Sequence, residues 1–121
     1  MGKRVRRRPI LIVDEQEMMH RTIARLLDDR WPLIFASTIK DAKEDVSRNH
    51  PLTALISDVH MPGASGLEVV RLAIQLQPGL RALVYTAYDE ADVIKEAHDL
   101  GAEYLRKPSC RCRTSSMENE A

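Results

Sequence analysis

Thr53-Ala-Leu-Ile-Ser-Asp58-Val-His-Met-Pro-Gly-Ala-Ser-Gly66 is the stretch on which the fold turns. Its first five residues form an apolar run of strand length, which suits a buried β-strand. The run stops at Asp58, after which Pro62, Gly63 and Gly66 predict a loop. An acidic side chain at the carboxyl end of a buried strand faces the crevice where open α/β sheets bind their ligands. The plainer reading is an aspartate that caps the following turn. The stretch alone leaves both open.

Working outward, Pro9-Ile-Leu-Ile-Val13 is a continuous apolar run ending in Asp14-Glu15, as expected of a parallel strand covered on both faces. Met19, Ile23, Leu26 and Leu27 recur at helical spacing, and Asp28 to Pro32 close that helix. Leu33–Ala36 reads as a short second strand. Thr38 and Asp41 predict the cap of a second helix with Ile39, Ala42 and Val46 inward, stopped before Pro51. Beyond the opening stretch, Leu67, Val70 and Ile74 mark a third helix that ends at Gln77-Pro-Gly79. Arg81–Tyr85 is a fourth strand presenting Thr86, and residues 90–100 form a fourth helix with Gly101 as its C′ residue. Ala102–Leu105 is a fifth strand, followed by Lys107-Pro108. Five strands alternating with four helices, joined by short right-handed crossovers, make an α/β doubly wound parallel sheet.

At 121 residues the chain is long enough for one core and too short for two. Eighteen basic residues balance eighteen acidic ones, so no global field argues for nucleic acid or a membrane surface. The basic run of Lys3, Arg4, Arg6, Arg7 and Arg8 reads as a solvated tail over residues 1–8, ahead of a domain spanning 9–108. No apolar stretch reaches membrane-spanning length and no signal-peptide pattern opens the chain, so a cytoplasmic location is expected. Cys110 and Cys112 lie in the polar tail 109–121, where they make a poor disulfide framework and half a metal site.

Strands one, three, four and five thus end in Asp14-Glu15, Asp58, Thr86 and Lys107, all on one edge of the sheet. Three carboxylates gathered there repel unless a cation offsets them, either Mg²⁺ or the Lys107 ammonium. With the Thr86 hydroxyl as donor, the set suits a phosphoryl group and a carboxylate nucleophile that accepts it as an acyl phosphate. Singly, each has a duller use: Asp14, Glu15 and Thr86 as helix caps, Lys107 as a solvated lysine.

The combination Ile-Leu-Ile-Val-Asp-Glu (10–15), Ser-Asp-Val-His-Met-Pro-Gly-Ala-Ser-Gly-Leu (57–67), Tyr-Thr-Ala (85–87) and Gly-Ala-Glu-Tyr-Leu-Arg-Lys-Pro (101–108) resembles the receiver domain of bacterial two-component response regulators. The resemblance implies a flavodoxin-like fold with strand order 2-1-3-4-5. It implies Asp58 as phosphoryl acceptor, and Asp14, Glu15, Asp58 and the backbone carbonyl of His60 as Mg²⁺ ligands. Thr86 resembles the switch hydroxyl, Lys107 the lysine that pairs with the phosphoryl group, and Tyr104 the aromatic that moves with the threonine. A bond of cis geometry at Lys107-Pro108 is implied as well. The partner implied is a histidine kinase or phosphotransfer protein, with a small phosphodonor as substitute and a homodimer as a possible assembly. The module is not expected to be an enzyme with its own substrate.

Three features depart from the family pattern. Glu15 stands where a second aspartate is commoner. His60 and Tyr88 are bulky at positions that tune phosphoryl lifetime, which predicts slow autodephosphorylation. The polar tail 109–121 has Met117 as its only large apolar residue, so it lacks the stripe of a fifth helix and would leave part of one sheet face bare. Two rival readings stand beside the receiver: a phosphorylation-independent scaffold or truncated remnant, and a phosphatase of the haloacid dehalogenase type. The phosphatase wants an acid two residues after its nucleophile, and His60 occupies that place.

Overall fold

A computed structural model describes residues 7–28, 30–49, 51–87 and 90–106. Its central sheet contains β1 (Ile10–Val13), β2 (Leu33–Ala36), β3 (Ala54–Asp58), β6 (Arg81–Thr86) and β7 (Glu103–Arg106). They are all parallel and ordered β2-β1-β3-β6-β7. The expected fourth and fifth strands are β6 and β7, so the flavodoxin-like order holds. The helices are α1 (Glu17–Leu27), α2 (Ile39–Asn49), α3 (Gly66–Leu76) and α4 (Ala91–Asp99). Among them no helix is long and apolar enough to cross a membrane.

Side-chain alternation divides the core into two layers. Leu11 and Val13 of β1, Leu55 of β3 and Val84 of β6 face α2, α3 and α4, meeting Ala42, Val46, Val70 and Ala97. Ile10, Ile12 and Tyr85 point to the other face, against Ile23 of α1. Several of these side chains are fully buried, each worth roughly 1.5–3 kcal/mol over exposure. The α1 face is the less covered among the described residues. Ile23, Leu27, Ile56, Leu83, Tyr85 and Leu105 line an open apolar groove of about 230 Å³ there. Leu26, expected in the buried stripe of α1, instead stands 77% exposed at its rim.

Local signals end the helices as the sequence suggests. The Thr38 hydroxyl accepts the Asp41 N–H at 3.0 Å, capping α2. Gly101 takes a φ of 83°, its N–H donating to the His98 carbonyl and that of Ala102 to Ala97, a Schellman closure of α4. One expectation needs correction. The segment after Asp58 is not an irregular loop through Gly66. His60–Met61 (β4) and Ala64–Ser65 (β5) form a small antiparallel ribbon. Its turn is Pro62-Gly63, with Gly63 at a φ of 76° that favours glycine. The Ser65 hydroxyl then accepts the Leu67 N–H, and Gly66 opens α3.

Candidate functional site

Because β1, β3, β6 and β7 run in one direction, their last residues share an edge. Asp14 follows β1 and is fully buried; Asp58 ends β3 at 5% exposure; Thr86 ends β6, fully buried, and pairs in register with Arg106. The register also sets Asp58 beside Tyr85. Glu15, one residue beyond Asp14, is exposed. Asp14 and Asp58 are the buried carboxylates of this edge, and among the described residues no three His, Cys, Asp or Glu side chains are grouped closely enough to hold a metal by themselves. Tyr104 is half-buried on β7 and packs against the larger core layer. Lys107, Pro108, Tyr88, the two cysteines and the tail lie outside the described residues.

Asp58 is held by its near neighbours in the chain. Its Oδ1 accepts the His60 N–H at 3.3 Å, and its carbonyl accepts the Ser57 hydroxyl at 3.1 Å. The next residue, Val59, donates its N–H to the Tyr85 carbonyl and accepts from Gly66 N–H at 2.8 Å. That last bond draws α3 in so closely that a Cβ on Gly66 would lie 1.9 Å from the Asp58 carbonyl oxygen. Gly66 is therefore required for space rather than for conformation.

Asp14 is held as firmly. Its Oδ1 accepts the Gln16 N–H at 2.8 Å, its Oδ2 accepts the Tyr85 hydroxyl at 2.6 Å, and its carbonyl is 2.7 Å from His20 Nε2. His20 is itself buried and stacked on Phe35. Burial, then the bond to Asp14, pushes the Tyr85 phenol well above its ordinary value, so it stays a donor. At the mouth of the crevice His60 Nε2 lies 3.2 Å from Glu90 Oε2, tying the β4 strand to the start of α4.

Sequence reasoning missed Tyr85, Glu90 and the close approach at Gly66. A tyrosine ending an aliphatic strand was the available signal, since a buried hydroxyl needs a partner. Chemically, two fixed and buried carboxylates at adjacent strand ends supply the oxygen donors that a hard cation prefers. Mg²⁺ characteristically takes one or two carboxylates together with waters and phosphate oxygens, and needs no all-protein cage. The donor set fits it.

Residues 10–114 match the model of the response regulator receiver domain. The sporulation initiation phosphotransferase F of Bacillus subtilis (strain 168) is 30% identical over 101 residues, covering 82% of this chain and 81% of that protein. The chain spans less than half the length of several other curated relatives that it matches. A receiver domain protein from Methanospirillum hungatei JF-1 superposes with a TM-score of 0.77 at 23% identity, over 85% of this chain and 83% of that one. A response regulator protein from Burkholderia pseudomallei, solved with a phosphorylated aspartic acid, calcium ion and citrate, gives 0.75 at 29% identity, over 84% and 61%.

Proposed function

Since the chain belongs to the response regulator receiver domain family, we propose that Asp58 is the phosphoryl acceptor through which it signals. The observation that carries this reading is the setting of Asp58: a carboxylate at 5% exposure on the strand-end edge, oriented by the His60 N–H and neighboured by the fixed Asp14. An Asp58 carboxylate oxygen bonds to phosphorus, and the donor's own bond to phosphorus breaks. The leaving group, imidazole from a phosphohistidine or acetate from acetyl phosphate, departs with the electron pair. Little covalent work falls to the protein, so rate depends on positioning and charge.

Asp14, Glu15, Asp58 and the His60 backbone carbonyl are the residues proposed to hold Mg²⁺. When bound, the ion neutralises charge gathered on the phosphoryl oxygens. Thr86 is proposed to donate its hydroxyl to the phosphoryl group and Lys107 to pair with it. Moving Thr86 would free the space into which Tyr104 turns, biasing a two-state equilibrium. A histidine kinase or phosphotransfer protein is the proposed donor, in the cytoplasm, and output passes through protein contacts. His60, whose Nε2 lies 3.2 Å from Glu90 Oε2, is proposed to hinder a water attacking the phosphoryl group, which would slow loss of the modification.

The test is intact mass after incubation with acetyl phosphate. One phosphoryl group is expected on the native chain with Mg²⁺, and none after EDTA or in Asp58→Asn. A folded native chain that gains no mass would favour the phosphorylation-independent scaffold.

A further inference from the structure

We propose that Tyr85 is a positioning residue for the metal site, its hydroxyl holding Asp14 in the orientation a divalent cation requires. The inference rests on the reading that the acidic crevice takes Mg²⁺. The bond from Tyr85 to Asp14 Oδ2 is 2.6 Å, within the short range of a hydroxyl donating to a carboxylate. With Gln16 N–H on the other oxygen at 2.8 Å, rotation of the Asp14 carboxylate is stopped.

Tyr85 is itself well buried. Its ring packs in the smaller core layer with Ile10, Ile12 and Ile23, and it is 3% exposed. Its carbonyl accepts the N–H of Val59, the residue after Asp58, at 3.0 Å. One residue thus ties together both strand ends that carry a buried carboxylate, through its side chain to one and its backbone to the other. A phenylalanine would fill the same space. The hydroxyl adds the bond to Asp14, and a buried hydroxyl is costly without a partner.

Hydrogen-bond partners of ligating groups are typically worth 10- to 100-fold in metal affinity. The experiment is a titration of the full chain with Mn²⁺, free ion read by electron paramagnetic resonance and Mg²⁺ used to compete. Tyr85→Phe should bind about 10-fold more weakly while its circular dichroism stays native, and should make no further difference when added to Asp14→Asn. In the native chain, saturating Mg²⁺ should shift the assigned Cζ resonance of Tyr85, a readout that needs no variant to fold. Equal affinity of Tyr85→Phe and native chain, or an unmoved resonance at saturation, overturns the positioning role and leaves the metal reading intact. A native chain that binds neither ion overturns both.

Discussion

Replacing Gly66 by alanine is expected to damage stability and phosphoryl uptake together. The added Cβ would sit 1.9 Å from the Asp58 carbonyl oxygen and 2.5 Å from Ser57 Oγ, where real contacts essentially never fall below 3.0 Å. The serine can rotate away, but the carbonyl is backbone at the end of β3. The start of α3 and the end of β3 must therefore part by about 1 Å, against the 2.8 Å bond from Gly66 N–H to Val59. Overpacking against rigid neighbours costs about 3 kcal/mol at the upper end of its usual range. Alanine recovers up to about 1 kcal/mol through its better helix propensity. The net loss is about 2 kcal/mol, which lowers a urea midpoint by more than about 1 M at an m-value of roughly 1.5 kcal/mol/M. Displacing a reacting group by about 1 Å costs on the order of 100-fold in rate, so acetyl phosphate labelling should slow by that order in the folded variant. An unchanged midpoint with an unchanged labelling rate would refute the argument that Gly66 is there for space.

Two further predictions concern the scaffold. The Gln77 side chain accepts the Leu52 N–H at 2.7 Å and donates to the Leu52 carbonyl at 2.9 Å, joining the end of α3 to the entry of β3. Gln77→Ala should cost about 2 kcal/mol in chemical denaturation by stranding both groups, and a loss within about 0.5 kcal/mol would show that water replaces them. Lys43, 3.1 Å from Glu68, links α2 to α3 and holds the Glu68 carboxyl below its ordinary value. A lowered carboxyl adds stability above its unfolded value and loses it as pH falls through the folded one. The small melting difference between native protein and Lys43→Met should thus vanish on acidification and shrink in high salt. A difference unchanged at low pH would contradict this origin.

Local signals were the legible part of the fold. Thr38 with Asp41, and Gly101 after the α4 pattern, act over a few residues, and each appears where the sequence put it. The strand-end site was legible for a different reason: parallel strands share a direction, so Asp14, Asp58 and Thr86 had to meet at one edge once five parallel strands were recognised. What escaped depends on register and approach. The bond from Tyr85 to Asp14 joins residues 71 apart, and that from Gln77 to Leu52 residues 25 apart. The β4–β5 ribbon has two-residue strands, too short for any periodicity to reveal. Leu26 followed the apolar spacing of α1, yet spacing places a residue on a helix face and does not say how far the neighbouring layer reaches. Strand direction places Asp14, the residue just past β1, at the shared edge, but it does not by itself place the carboxylate of Glu15, which lies one residue further on and is exposed.

The measurement closest to the central claim is the location of the modification. An acyl phosphate is reduced by borohydride, and an aspartyl phosphate leaves homoserine in its place. After labelling with acetyl phosphate and Mg²⁺, peptide sequencing by mass spectrometry should find homoserine at position 58, with Asp14 unchanged. Homoserine at position 14, or a stable phosphoryl group on a hydroxyl such as Thr86, would contradict the assignment of Asp58 as acceptor.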